Sequence, residues 1–234
     1  MQKTPIVIAY NRKEYDHEAN NFISKNYSVK IITKKEELNI EDIDKINPKY
    51  LFFPHWSWII PKEIYKKYNC IVFHMTDLPY GRGGSPLQNL IERGHKKTKI
   101  SAIKVEKGLD TGDIYIKEPL SLEGTAEEIY KRASKIIFEK MIPKIIKKNI
   151  TPYPQKGKVV EFKRRKPNQS DISKLNTLEK IYDYIRMLDA EGYPKAYIRE
   201  DGIKYEFYDA KIEGNEIQAK VKITKDDEKW KKQW

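Results

Sequence analysis

The chain has 234 residues, with 46 lysines and arginines against 34 aspartates and glutamates, a net charge of +12 and a single cysteine. That length holds one full core plus a small appendage, and a lone cysteine excludes an intramolecular disulfide framework, which makes a reducing cytoplasm the simplest setting. No apolar run approaches the roughly 20 residues of a bilayer-spanning helix, and Met1 to Tyr10 has neither the charged start nor the long apolar stretch of a signal peptide, so no membrane association is expected.

Short apolar runs at Pro5–Ala9, Ser28–Thr33, Tyr50–Phe53 and Cys70–Phe73 suit strands covered on both faces. Helix-compatible stretches near Glu14–Lys25 and Pro61–Lys67 can supply the crossovers of a parallel sheet. The pattern predicts an α/β open, mostly parallel sheet, whose ligand site lies outside the carboxyl ends of the strands. Ser85, Pro86 and Gln88 read as cap, first helical position and capping-box partner of one helix, and Thr125 with Glu128 opens another. In that second helix Ile129, Ala133, Ile136, Ile137 and Met141 form an apolar stripe.

After Pro154 the composition changes. Lys156, Lys158, Lys163, Arg164, Arg165 and Lys166 make a basic link. It is followed by a helical pattern at Ile181, Ile185 and Leu188 ending at Gly192, then by strand-like pieces at Ala196–Ile198, Lys204–Tyr208 and Ile217–Ile223. Asp201-Gly202 and Gly214-Asn215 are hairpin turns in this reading, giving a small antiparallel β unit. The expected division is a catalytic domain at 1–154, a basic linker at 155–175 and an α+β subdomain at 176–234, with a charged end at Lys225–Trp234 that frays. Such a unit has to pack on the main domain or on a second subunit, so a homodimer is one expectation.

The positive charge permits a phosphate-bearing partner, yet most of the lysines are scattered as on an ordinary solvated surface. Among the four histidines, His17, His55, His74 and His95, no pair has metal spacing, and one cysteine cannot build a zinc site, so no metal is expected. Ala9-Tyr10-Asn11-Arg12 lacks the glycines of a nucleotide-binding turn. What remains is His74, directly after a strand, and Asp110, on a glycine-bounded loop. Singly they read as a strand-end histidine and a turn carboxylate; together they suit removal of a proton from an amine during acyl transfer.

Residues 73–112 run FHMTDLPYGRGGSPLQNLIERGHKKTKISAIKVEKGLDTG. This segment resembles the core of the folate-dependent formyltransferases, in which His-X-Ser/Thr-X-Leu-Pro is followed by Arg-Gly-X-X-Pro and by Gly-Leu-Asp-Thr-Gly. The matching residues are His74, Thr76, Leu78 and Pro79, then Arg82, Gly83 and Pro86, then Gly108, Leu109, Asp110, Thr111 and Gly112. Upstream, His55-Trp56-Ser57-Trp58-Ile59-Ile60-Pro61 occupies the place of the segment that walls the family's folate pocket. Downstream, Phe162–Pro167 resembles the Arg-Arg-X-Pro stretch of sugar-nucleotide formyltransferases, and Ile185-Arg186 through Gly192-Tyr193-Pro194 resembles part of their C-terminal unit.

The resemblance implies formyl transfer from 10-formyltetrahydrofolate to an amine, with His74 as general acid/base, Asp110 assisting it and Thr76 supporting the turn. Trp56, Ser57, Trp58, Ile60, Gly108, Leu109 and Thr111 match positions near the folate. Arg82, Gly83, Lys163, Arg164 and Arg165 are the implied contacts to the acceptor substrate. Because methionyl-tRNA formyltransferases carry a larger C-terminal domain than residues 176–234 can build, the first expectation for that substrate is a nucleotide-linked amino sugar of surface polysaccharide (lipopolysaccharide) biosynthesis, with nucleic acid set aside. Methionyl-tRNA is the alternative. The family's third catalytic residue, an asparagine two positions before the histidine, is replaced by Val72, which has no side-chain donor. Loss of one oxyanion donor costs on the order of a hundredfold or more in rate. His55, Ser57 and Asn89 are candidate substitutes, and a formyltransferase-like binding protein without turnover is the other reading.

Overall fold

The computed structural model describes residues 4–23 and 27–226. Six strands form the main sheet: β1 (Pro5–Tyr10), β2 (Ser28–Ile32), β3 (Tyr50–His55), β4 (Cys70–His74), β6 (Lys97–Lys104) and β7 (Ile114–Ser121), in the spatial order β2-β1-β3-β4-β6-β7. The first four pair in parallel, whereas β6 runs antiparallel to β4 and β7 antiparallel to β6. A short strand β5 (Tyr80–Gly83) lies between β4 and β6 in the chain and pairs in parallel with β8 (Val160–Phe162). Strands β6 and β7 escape a search for apolar runs because lysines interrupt both, at Lys97, Lys99 and Lys104 and at Lys117.

Alternation along each strand sends side chains to two separate cores. From β3, Tyr50 and Phe52 join a core shared with helices α1 (Asp16–Ile23), α4 (Pro86–Glu92), α5 (Ala126–Ile136), α6 (Ile142–Lys148) and α7 (Leu178–Met187). Leu51 and Phe53 face the opposite side, where α2 (Ile40–Ile46) and α3 (Lys62–Lys67) contribute Ile43 and Ile64. In β4 the same alternation puts Ile71 and Phe73 in the first core and Cys70 in the second. Burial pushes the Cys70 thiol up to about 12, so it stays a neutral packing group.

Two helix starts differ instructively. Thr125 and Glu128 form the expected capping box on α5. Ser85 precedes α4 but takes a left-handed backbone, φ 49°, and makes no cap bond; its Oγ instead accepts the Arg165 N–H at 3.1 Å. Gln88, the supposed box partner, points into the core and donates to the Met187 carbonyl at 3.1 Å and to the Tyr130 hydroxyl at 3.4 Å. The local capping pattern is overridden by the neighbouring chain.

The C-terminal part is a three-stranded antiparallel sheet, β9 (Ala196–Glu200), β10 (Ile203–Glu213) and β11 (Glu216–Lys225), in the order β11-β10-β9, with the hairpins at Asp201-Gly202 and Gly214-Asn215. The readings for residues 24–25 of the first helix and for the charged end at 227–234 lie outside the described residues. α7 ties this unit to the main sheet. Arg186, 3% exposed, donates to the carbonyls of Leu122 at 2.6 Å and Gly124 at 3.0 Å, and pairs with Asp183 at 2.7 Å. Removing one member of such a buried set leaves the others without partners, which costs about 3–5 kcal/mol. Arg186→Ala is therefore expected to lower the urea-unfolding free energy by about that amount, and a loss below about 1 kcal/mol would show that Arg186 behaves as an exposed charge.

Candidate active site

His74 ends β4, at the carboxyl edge of the parallel strands, and is 8% exposed. Its Nε2 lies 2.7 Å from the Gly81 carbonyl. A carbonyl only accepts, so Nε2 carries the hydrogen and Nδ1 is the nitrogen left to gain or lose a proton. Thr76, fully buried, donates to the same carbonyl at 3.4 Å. Gly81 has φ 80°, and a Cβ there would come within 2.7 Å of both Phe162 and Thr76, so only glycine brings this carbonyl under the ring.

Nδ1 faces Asp110, whose Oδ2 is 3.5 Å away and also accepts the Gly83 N–H at 2.9 Å. The turn between β6 and β7 starts at the far end of β4, where Val105 N–H bonds the Cys70 carbonyl, so the chain folds back along β4 to bring Asp110 to His74. Asp110 takes a left-handed backbone, φ 53°, which aspartate tolerates better than most residues. Gln155 holds this bend by donating to the carbonyls of Asp110 and Gly112, each at 2.8 Å, while its own Oε1 accepts Arg82 Nε at 3.2 Å and Nη2 at 2.8 Å. Gln155 carried no signal in the sequence, being one glutamine in a basic link.

The residues expected near a folate lie on two loops flanking this pair. Trp56 sits between Phe53 and Trp58, with ring centroids at 6.0 and 4.8 Å, and its buried Nε1 has no hydrogen-bond partner among the described residues. Ile60 is buried in the second core, whereas Trp58, Ile59 and Leu109 expose 37%, 91% and 69% of their surface. Thr111 donates to the Lys107 carbonyl at 3.3 Å, closing the turn that contains Gly108.

Of the basic residues expected to meet the acceptor, Lys163 and Arg164 are exposed. Arg165 corrects the expectation. Its guanidinium pairs with Glu92 at 2.6 Å, donates to the Gln169 carbonyl at 2.6 Å and lies over the Tyr184 ring. Burial opposes the Glu92 charge, yet the Tyr184 hydroxyl and Arg165 hold its carboxyl below the usual carboxylate range. Arg165 is thus already neutralised. Arg82 and Gly83 are likewise engaged, through Gln155 and Asp110, in holding the loop.

Val72 stands beside Phe53 and Ile103 on the adjacent strands and has no donor to offer. Asn89 commits its amide hydrogens to the carbonyls of Gly84, Ser85 and Lys163, each at 3.0 Å. His55 is turned away by a bulge: Ile8 pairs with Phe52 but Tyr10 with His55, and the extra residue moves His55 to the face of the first core, with Tyr15 and Tyr130 at 5.8 and 5.9 Å. Ser57, on an exposed loop, reaches only Asn11 Oδ1 at 3.5 Å. Among the described residues no group of three or more histidine, cysteine or acidic side chains could hold a metal, and no helix is long and apolar enough to cross a membrane.

The profile of the Formyl transferase family matches residues 5–145. The chain belongs to this family. That membership agrees with the expected one-carbon transferase and with 10-formyltetrahydrofolate as donor. A second profile, described as the C-terminal domain of methionyl-tRNA formyltransferase, matches residues 167–224. A formyltransferase relative, the methionyl-tRNA formyltransferase of Rickettsia felis, is 33% identical over 171 residues, 70% of this chain and 56% of that protein. The chain thus spans little more than half the length of the curated relatives it matches. Among solved structures, a methionyl-tRNA formyltransferase from Clostridium thermocellum is 56% identical with a TM-score of 0.92, covering 94% of this chain and 98% of that one. A sugar N-formyltransferase from Shewanella is 16% identical with a TM-score of 0.66, covering 87% of this chain and 96% of that one, a likeness of fold alone.

These comparisons overturn the expected nucleotide-linked amino sugar and the polysaccharide role, and favour the alternative, methionyl-tRNA, over the ranking that put nucleic acid second. The inference from size failed because a methionyl-tRNA formyltransferase chain, that of Clostridium thermocellum, is matched almost end to end.

Burial among aromatic rings, reinforced by Arg12, pulls His55 down to about 3. It therefore stays neutral in the folded chain while its unfolded counterpart gains a proton below about pH 6.5, so its contribution to stability falls as pH drops through that window. The ring signals of His55 are expected to keep their neutral-form shifts from pH 8 to pH 4.5, and His55→Gln is expected to flatten the loss of stability on acidification; a His55 that titrates near pH 6.5 would contradict this placement.

Proposed function

We propose that the chain transfers the formyl group of 10-formyltetrahydrofolate to the amine of methionyl-tRNA. The observation that carries the reaction class is the His74 Nδ1–Asp110 pair, fixed by the Gly81 carbonyl on one side and the Gly83 N–H on the other. The choice of acceptor is supported by the near full-length likeness to the Clostridium thermocellum structure and by the net charge of +12, which favours association with a phosphate backbone.

The donor fits the two flanking loops by their chemistry. Exposed Trp58, Ile59 and Leu109 offer apolar walls, and Trp56 Nε1 is a buried N–H lacking an acceptor, a combination suited to a flat ring rich in heteroatoms. When bound, the donor supplies an activated formyl carbon. His74 Nδ1 takes the proton that the attacking amine loses and gives it to the folate nitrogen as that nitrogen's bond to the formyl carbon breaks, while Asp110 stabilises the charged ring without having to move. Gly81 and Thr76 keep the ring in one orientation. With valine at position 72, Ser57 is the side chain of the three candidates whose hydroxyl is least committed elsewhere.

The test is incubation of the purified chain with 10-formyltetrahydrofolate and methionyl-tRNA. Formylmethionyl-tRNA and tetrahydrofolate are expected in equal amounts, and His74→Ala is expected to lower the rate by about 10²- to 10⁴-fold, the usual range for a general base. Absence of product, or a rate unchanged by His74→Ala, overturns the proposal and favours a folate-binding protein without turnover.

A further inference from the structure

Attack of an amine on a formyl carbon forms the new carbon–nitrogen bond and sends the carbonyl π pair onto oxygen. The pair returns when the bond from that carbon to the donor nitrogen breaks. In between the oxygen is an anion, and an N–H or O–H already aimed at it lowers the barrier. Val72 offers none, the Asn89 amide hydrogens are spent on three carbonyls, and His55 faces the first core. A donor has to come from elsewhere on the same rim.

Tyr10, His55 and His74 end three adjacent parallel strands. Tyr10 pairs with His55 across β1 and β3, Phe53 pairs with Val72 across β3 and β4, and His55 and His74 each lie two residues further on. Asn11 is the first residue beyond β1, and its N–H bonds the His55 carbonyl at 3.0 Å, so its backbone stays on that row. The side chain reaches the loop that follows β3, where Oδ1 accepts the Ser57 hydroxyl at 3.5 Å. That bond occupies the amide oxygen. Both hydrogens of Nδ2 are left, with no acceptor among the described residues. Two strand spacings of about 4.8 Å each separate β1 from β4, a width that an amine beside His74 and an oxygen beside Asn11 can share.

The backbone around Asn11 is held firmly. Arg12 pairs with Glu14, lies over the rings of Tyr130 and Tyr193 at 4.4 and 5.2 Å, and donates to the Glu191 carbonyl at 3.2 Å. Tyr15, fully buried, donates its N–H to the Arg12 carbonyl at 3.1 Å. A donor on such a segment needs little reorganisation when charge develops.

We infer that Asn11 Nδ2 is the oxyanion donor that Val72 cannot be, and that Ser57 is a positioning residue, fixing which way the Asn11 amide turns. A hydroxyl has one hydrogen, and the Asn11 oxygen takes it. The inference rests on the formyl-transfer reading of the preceding subsection and names the residue that meets the charge in that reaction.

Kinetics on the full chain with methionyl-tRNA, tetrahydrofolate binding and urea unfolding test it together, with a ¹H–¹⁵N titration in which formate, a one-carbon anion, is added to the tetrahydrofolate complex until the His74 ring signals move. Asn11→Ala and Asn11→Asp are each expected to lower kcat about 10²-fold, the usual cost of one oxyanion donor, while KM, folate affinity and stability stay at wild-type values. Ser57→Ala is expected to lower kcat by less, Ser57→Thr to restore it, and the Asn11 side-chain amide signals to shift with formate. An unchanged kcat in Asn11→Ala, a loss that follows weaker folate binding or stability, or Asn11 amide signals that stay still as the His74 signals move overturns the inference. A Ser57→Ala loss larger than that of Asn11→Ala also overturns it, by giving the donor role to Ser57. A wild-type chain without turnover sinks the formyl-transfer reading itself, and the role of Asn11 with it.

Discussion

The Asp110 carboxylate is held by a backbone N–H of one strand while it faces a histidine at the end of another, and the loop that carries it has to return along β4 to get there. Every part of the site serves that placement. Gln155 clamps the bend through two carbonyls, Arg82 holds Gln155, and β8 holds β5, on which Arg82 and Gly83 lie. Asp110 itself sits at a positive φ, a backbone state that persists only where its surroundings over-determine it. A carboxylate fixed in this way faces the ring without having to reorganise.

The same dependence explains why the basic link is part of the catalytic half. Gln155, Phe162 and Arg165 each close a contact with residues 80–92: Gln155 with Arg82, Phe162 with the glycines of β5, and Arg165 with Ser85 and Glu92. Gly83 has no room for a side chain because its Cβ would stand 2.2 Å from the Phe162 carbonyl. A charged surface run in the sequence thus contains two residues, Gln155 and Arg165, whose polar groups are spent inside the protein. The C-terminal unit is joined by similar means, with Arg186 reaching across to Leu122 and Gly124 and the Tyr130 hydroxyl meeting that of Tyr193 at 3.0 Å.

Much of this was legible in the sequence where the signal is local. The apolar runs of β1, β3 and β4 are buried on both faces and therefore continuous, whereas β2, at the sheet edge, is fully buried only at Ile32; both C-terminal hairpins carry their turn dipeptides. The His74 and Asp110 motifs could be matched because short loops must keep their residue types to hold their shape. What escaped was set by contacts distant in the chain. Ser85 fits a capping pattern, yet its hydroxyl is drawn to Arg165 80 residues away, and the Gln88 amide to Met187 99 residues away. His55 was a reasonable donor candidate until a one-residue bulge put it on the other face. The acceptor was misread because chain length was taken as a guide to substrate.

The claim that Nδ1 of His74 is the working nitrogen, with Asp110 opposite it, follows from one contact, the bond from Nε2–H to the Gly81 carbonyl. Multiple-bond ¹H–¹⁵N correlation of the neutral His74 ring tests it directly. The structure requires the hydrogen on Nε2, with Nδ1 showing the shift of an unprotonated nitrogen. A neutral ring that carries its hydrogen on Nδ1 would break the Gly81 contact, reverse the roles of the two nitrogens and contradict the account.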